Sequence, residues 1–450
     1  MTAFSELGLA EAVCRAVAAE GYTAPTPIQE QAIPFVLAGR DLLGVAQTGT
    51  GKTAAFALPV LQRLAEGNVR VAPKTVRCLV LTPTRELAVQ VSDCFATYGR
   101  NLQLRRTSIY GGVGMNPQIR ALGMGNDIVV ATPGRLLDLL NRGYVKLDCV
   151  ETLILDEADR MLDMGFLPDV RKLVSQTPYR RQTLFFSATM APPVAELASG
   201  MLRDAQRVEV TPASTTVERI AQTVMFVTKD DKRPLLVELL KDASVGRTIV
   251  FARTKHGANR LAEQLVKCGH PAEAIHGNKS QGARQRALSD FQAGRVRTLV
   301  ATDIAARGID VDGVTHVINY ELPNEPESYV HRIGRTARAG AEGVAVSFCE
   351  LEELAYLKAI EKTIRQEVPV DETHSYHSAE IAARRFGPIP KPPKMGGRGG
   401  GGGRPPQAGT KPHAAPKGAG GGGHKADHAG GPGKPQQQRR RRSGGFQSAA

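Results

Sequence analysis

The chain has 450 residues, 42% of them hydrophobic, with a net charge of +14 and six cysteines. That length suits two or three domains rather than one. With no run of eighteen apolar residues it predicts no membrane span, and cysteines far apart, with no CxxC, argue against a disulfide framework or zinc site and for a reducing cytosol. The charge is unevenly placed: residues 384–450 carry 14 Lys and Arg and one acid, Asp427, which leaves the rest near neutral. A basic, extended segment of this kind predicts a polyanionic partner, most often nucleic acid.

The N-terminal stretch MTAFSELGLAEAV lacks a basic n-region and does not read as a signal peptide. The first strand is expected at Leu42–Val45. It runs into GVAQTGTGKTAAFALP, where Gly49 and Gly51 let the backbone curl and GKT opens a helix. Backbone N–H groups at such a turn cradle phosphates, Lys52 reaches the terminal ones and the Thr53 hydroxyl ligates Mg2+. The general phosphate-loop pattern wants Gly where this chain has Ala46, and the bland reading is an ordinary Gly-rich βα turn. Strands follow at Cys78–Leu81, Ile128–Ala131, Leu153–Leu155 and Thr183–Phe186, with an amphipathic helix, RELAVQVSDCFATY, between the first two.

The third of these strands ends abruptly in Asp156, Glu157 and Asp159. Carboxylates at strand ends lie on the carboxyl edge of an α/β sheet, where ligands bind. Asp156 is placed to hold Mg2+ and Glu157 to polarise water, two tasks that need separate carboxylates. Asp159, three residues on, is placed to hydrogen-bond another element. The competing reading is a helix start, with Asp156 as N-cap and Asp159 at N3; the lysine-bearing loop upstream disfavours it.

Residues 208–220, polar and β-branched, read as a linker. Beyond it, strands are expected at Thr248–Phe251, Arg297–Ala301, His316–Asn319 and Val344–Phe348, with a helix around GANRLAEQLVKC. Short apolar runs alternating with helices predict parallel sheets covered on both faces. YVHRIGRTARAG then spaces Arg332, Arg335 and Arg338 three apart, which on a helix would put three guanidiniums on one face. Such a row could meet the phosphates of a nucleotide held by the first domain, or simply be a solvated basic helix. From 371 to 450, and above all past Arg384, Gly, Pro and Arg dominate, apolar periodicity vanishes and a disordered tail is expected. Domains are therefore expected at 1–207 and 221–370.

From Phe4 to Glu361 the chain resembles the DEAD-box RNA helicases. It carries, in order, GYTAPTPIQ, AQTGTGKT, PTRELA, the GG of Gly111–Gly112, TPGR, DEAD, SAT, VFARTK, ATDIAARGID and HRIGRTAR. Its general look is most like the bacterial RhlE-type group. The resemblance implies two RecA-like α/β domains in tandem, ATP and Mg2+ as cofactors, and RNA as partner. It implies that Gln29 reads the adenine edge while Phe4 and Tyr22 pack around the base, and that Ala46, Gln47, Thr48, Gly49, Thr50, Gly51, Lys52 and Thr53 hold the phosphates. It further implies that Asp310 contacts the ribose, that Ser187 and Thr189 couple Asp159 to His331 across the cleft, and that Arg335 and Arg338 are arginine fingers. The family usually has Gly where this chain has Ala337. RNA contacts are implied at Arg85, Gly112, Thr132 and Arg135 in the first domain and at Arg253, Arg284, Thr302 and Asp303 in the second.

Aromatics number 22 (13 Phe, 9 Tyr, no Trp), so base-stacking platforms are scarce and the grip on RNA is expected to follow the backbone. Three functions compete. The full motif set favours an ATP-dependent RNA helicase or RNP remodeller of the cytoplasm. An ATP-gated RNA clamp or annealing chaperone would rely on the basic tail. A DNA-directed motor is disfavoured by the adenine-reading motif and the absence of extra DNA-reading domains.

Overall fold

The computed structural model describes residues 3–47, 49–67, 69–210, 219–306, 311, 313–337 and 341–387. Thr48, Asp310, Arg338 and the tail beyond 387 therefore lie outside the described residues. Thirteen strands are present among them. In the first half these are β1 (Leu42–Ala46), β2 (Val76–Leu81), β3 (Arg106–Ile109), β4 (Asn126–Ala131), β5 (Thr152–Leu155), β6 (Gln182–Ser187) and β7 (Gln206–Val210). In the second half they are β8 (Ile220–Phe226), β9 (Arg247–Phe251), β10 (Ala272–Ile275), β11 (Thr298–Ala301), β12 (Val314–Asn319) and β13 (Gly343–Cys349).

The strands form two sheets with parallel neighbours, ordered β3-β4-β2-β5-β6-β1-β7 and β10-β11-β9-β12-β13-β8. Every residue of β2, β4, β5 and β6 is buried. Helices cover both faces, which is why these strands read as unbroken apolar runs. In β6, Phe186 packs toward Phe56 and Phe95 while its neighbour Phe185 packs toward Leu153 and Leu139 on the other face. The order places β5, β6 and β1 side by side, so their carboxyl ends share one stretch of sheet edge.

The expected two-domain α/β architecture is present, with two boundaries moved. Val208–Val210 belong to β7 and Ile220 to β8, so the connection between the sheets is shorter than 208–220. Residues 371–387 are not tail. Val370 bridges Val224, the Asp371 N–H donates to the Val224 carbonyl at 2.9 Å and the Ser378 N–H to that of Phe226 at 2.9 Å. The helix Ala379–Arg384 then buries Ile381 beside Ile220 and Phe226. This segment satisfies the open edge of β8, which would otherwise offer unpaired backbone groups. Among the described residues no helix is long and apolar enough to cross a membrane.

Candidate active site

β1 delivers the chain into a tight loop with Gly49 at φ 83° and Gly51 at φ 93°, and the helix Lys52–Ala65 starts at once. A Cβ on Gly51 would strike the Gln29 amide as well as force an unfavourable left-handed backbone. Lys52 is 6% exposed, and its ammonium donates to the Ala46 carbonyl at 2.7 Å. Its two remaining N–H bonds are available to phosphate oxygens at the same turn. Thr50 Oγ1 donates to the Gln47 carbonyl at 2.8 Å, fixing the loop from within. The Gln29 side chain is buried; its Oε1 accepts from Thr26 N at 2.9 Å and its Nε2 donates to Gly51 O at 3.1 Å. Gln29 thus braces the phosphate loop, and each end of its amide keeps one hydrogen-bonding valence for an adenine edge. Tyr22 is exposed and lies 6.3 Å from the Tyr98 ring. Phe4 differs from its expected role: it is 7% exposed, in the core cluster with Leu7, Val13 and Ile28, and does not offer an open face.

The carboxylates stand at the end of β5. Asp156 is buried, and burial, with the adjacent Glu157 charge, raises its pKa to about 7 against the pull of Lys52. Glu157 sits at φ 54°, ψ 53°, a left-handed conformation that a non-glycine residue adopts only when its surroundings enforce it. The helix Ala158–Asp163 follows with no side-chain cap, so the helix-start explanation of these acids does not hold. Glu157 Oε2 accepts from Arg160 Nη1 at 2.9 Å, both side chains being almost fully buried. Asp159 Oδ2 accepts from Thr189 Oγ1 at 3.3 Å, and Ser187 Oγ donates to Thr189 O at 2.8 Å. The expected link from Asp159 to the SAT segment is therefore formed at the edge shared by β5 and β6. Asp159 Oδ1 is buried with no partner among the described residues, an acceptor turned toward whatever completes the site.

Mg2+ fits this donor set. Glu157 is already paired with Arg160, so the buried Asp156 beside it is the carboxylate that calls for a cation. The oxygens of Asp156 and Thr53 are the hard ligands Mg2+ takes alongside phosphate and water.

In the second domain the expected row of guanidiniums is not formed. The helix Pro326–Ile333 ends at Gly334, so Arg335 lies beyond it. Arg332 faces inward at 1% exposure. It is bidentate to Asp303 at 2.5 and 2.8 Å, donates to Asn319 Oδ1 and Glu321 O at 3.1 and 2.7 Å, and stacks 5.0 Å over Phe251. It is a structural tie, and Asp303, assigned to RNA from the sequence, is its partner. Arg335 is buried, with its Nε donating to His331 O at 3.1 Å. Arg335 and His331 line a small cavity with Arg160 of the first domain. Ala337 holds φ 55°, which gives the physical reason a glycine suits that position.

The RNA-contact candidates of the first domain converge. Gly112 lies at φ 81°, and a Cβ there would overlap the Arg85 guanidinium, which also passes over Gly111. Arg135 donates to Val113 O at 3.3 and 3.4 Å, and Thr132 N binds Ile109 O at the root of the same loop. In the second domain Arg253 is tied to Glu321, Glu350 and Glu353. Arg284 donates to Ala305 O at 3.5 Å, beside the turn in which Thr302 O caps Ala305 and Ala306. Arg284 Nε also reaches Glu86 Oε1 at 2.8 Å, which Gln281 Nε2 shares at 3.0 Å. Glu86 follows Arg85 directly, so one buried contact joins the two sets of candidates. Glu86, Gln281 and Arg160 were not singled out from sequence; the i, i+3 spacing of Gln281 and Arg284 was the available signal.

Sequence profiles for DEAD/DEAH box helicases match residues 26–197, and for the helicase conserved C-terminal domain residues 231–340. The ATP-dependent RNA helicase CshA of Listeria monocytogenes is 44% identical over 81% of this chain and 69% of its own length. The chain belongs to the DEAD-box helicase family. The CshA similarity replaces the narrower RhlE-type resemblance. Among solved structures, S. cerevisiae Dbp5 bound to RNA and ADP BeF3 is 34% identical with a TM-score of 0.73, over 82% of this chain and 96% of that one. Mss116p bound to ssRNA and AMP-PNP is 29% identical with a TM-score of 0.72, over 85% and 80%.

Proposed function

We propose that this DEAD-box protein is an RNA-dependent ATPase that separates short RNA duplexes and remodels RNA–protein complexes by closing its two domains around one strand. The carrying observation is that Arg160, bonded to the catalytic Glu157, lines one cavity with His331 and Arg335 of the second domain. Closure therefore completes the ATP site and the RNA path together.

The roles we assign are supported by the geometry. Lys52 and the loop around Gly51 hold the phosphates, and Gln29 reads the adenine edge. Asp156 and Thr53 would hold Mg2+, which supplies charge neutralisation on the phosphates. Arg160 occupies Glu157 Oε2, leaving Oε1 to accept the proton of the attacking water. The new O–P bond forms as the bond to the ADP oxygen breaks. Arg335 is placed to meet charge developing on the transferred phosphoryl group; such a group is typically worth about 10³-fold or more in rate. Thr189 and Asp159 link this event to the second domain through His331. Arg85, Gly112, Thr132, Arg135, Arg284 and Thr302 grip the backbone, so sequence specificity is low. The setting proposed is the cytoplasm, with RNA maturation or turnover as the task. Glu157→Gln tests the scheme: RNA-stimulated hydrolysis should fall at least about 10²-fold while ATP and RNA still bind. Unchanged hydrolysis would remove Glu157 from the mechanism.

A further inference from the structure

The amino ends of β6, β1 and β7 lie across the first sheet from the ATP site, one strand length or roughly 15 Å away. Arg40, Arg63, Arg180, Arg181 and Arg203 gather there. Arg63 bonds the Val36 carbonyl and the Gln182 amide oxygen. Arg181 Nη1 bonds Pro178 O at 2.9 Å, and Arg203 Nη2 bonds Arg181 O at 2.7 Å. Among the described residues none of Arg63, Arg180, Arg181 and Arg203 pairs with a carboxylate, whereas Arg40 meets Asp204 at 2.6 Å. The nearby Asp41 has both oxygens committed to the backbone N–H groups of Thr183 and Arg203. Arg181 Nε is buried with no partner among the described residues, and burial and the Arg203 charge press this guanidinium below its usual range. Positive charge is in excess here: among the described residues only Arg40 of these five guanidiniums has a carboxylate partner, although backbone and amide oxygens hold Arg63, Arg181 and Arg203 in place.

An aromatic stands in the middle of this charge. Tyr179 is 78% exposed, and Arg203 lies 4.4 Å over its ring, so a cation and a ring are stacked at the surface. Leaving a tyrosine this open forgoes burial, and the adjacent Arg180 is also exposed. An aromatic ring flanked by guanidiniums that have no carboxylate partner among the described residues matches a base and its phosphates.

We propose that Tyr179, Arg180 and Arg203 form a second single-stranded RNA contact on the first domain, separate from the cleft, which holds a segment flanking the strand being remodelled. This rests on the RNA-remodelling reading above. A strand that only fills the cleft does not reach it; a longer one does. The contact favours substrates with a single-stranded extension and keeps the protein on its RNA through successive cycles of closure.

The test compares the full chain with Tyr179→Ala/Arg180→Glu, and with Arg105→Glu as a control. Arg105 is an exposed arginine beside β3 at the far edge of the same sheet. Fluorescence anisotropy measures binding of RNA single strands of about 6 and about 25 nucleotides, spanning sizes below and above a typical single-strand site. The proposal expects the double variant to bind the long strand at least about tenfold more weakly, with a shallower salt dependence. Short-strand affinity and the maximal RNA-stimulated ATPase rate should hold, and Arg105→Glu should bind both strands normally. Equal long-strand affinity in variant and unaltered chain would overturn the proposal, as would an equal loss in Arg105→Glu, which would mean bulk charge alone. RNA binding intact but poly-glutamate binding lost would also overturn it, in favour of an acidic protein partner. Failure of the short strand to stimulate the unaltered chain would instead refute the RNA-remodelling reading itself.

Discussion

Replacing Glu86 by Ala should uncouple RNA from hydrolysis while sparing ATP binding. In the closed arrangement Glu86 Oε1 takes hydrogen bonds from Gln281 and Arg284 at 3.0 and 2.8 Å, with the Glu86 and Arg284 side chains only 4% and 9% exposed. Without the carboxylate, Arg284 keeps one long bond, to Ala305 O at 3.5 Å. Gln281, whose Oε1 has no partner among the described residues, loses its Nε2 partner too. Truncating one member of a buried charged pair between two bodies costs about 2–5 kcal/mol. Here the cost falls on the closed state alone, because separated domains leave both groups to water. About 3 kcal/mol corresponds to a factor of about 10². The RNA concentration giving half-maximal ATPase stimulation should rise by about that factor, with the rate in the absence of RNA unchanged. Arg284→Ala and the double variant complete a cycle, and the coupling should exceed about 1 kcal/mol. Independent effects, with coupling below about 0.5 kcal/mol, would refute the claim that this contact holds the domains together.

Gly112→Ala should weaken RNA binding while leaving ATP binding intact, since a Cβ there is strained at φ 81° and displaces Arg85; equilibrium binding of each ligand separates the two. Ala337→Gly should stabilise the second domain by up to about 1 kcal/mol, because relief of the left-handed alanine slightly outweighs the added freedom of the unfolded chain. A lower melting temperature would contradict that. Lys232→Ala should destabilise the second domain by about 2 kcal/mol, because Glu353, fully buried, loses the Lys232 ammonium at 2.6 Å and is left to Arg253 at 3.2 Å. Urea unfolding measures it.

The nine strands legible in the sequence are all present, each within two residues of its expected start and end. The four missed, β3, β7, β8 and β10, are the outermost strands of the two sheets. An interior parallel strand is buried on both faces and shows as an apolar run. An edge strand such as QRVEV keeps exposed polar positions and looks like a loop. The phosphate loop and the carboxylates were readable because local spacing dictates their chemistry. Arg332 departs from its expected place for a related reason: a period of three says which residues share a helix face, but not that the helix stops at Ile333 or that this face turns into the protein. Glu86 and Arg160 were invisible because their partners come from far along the chain or depend on a strained backbone at Glu157.

Steady-state ATP hydrolysis by the full chain with no nucleic acid, with single-stranded RNA and with DNA of the same sequence tests the central claim most directly. If RNA-induced closure completes the site, hydrolysis is slow alone, strongly stimulated by RNA and little changed by DNA. Equal rates in all three conditions would contradict the account, because Glu157 and Arg335 would then be assembled without RNA.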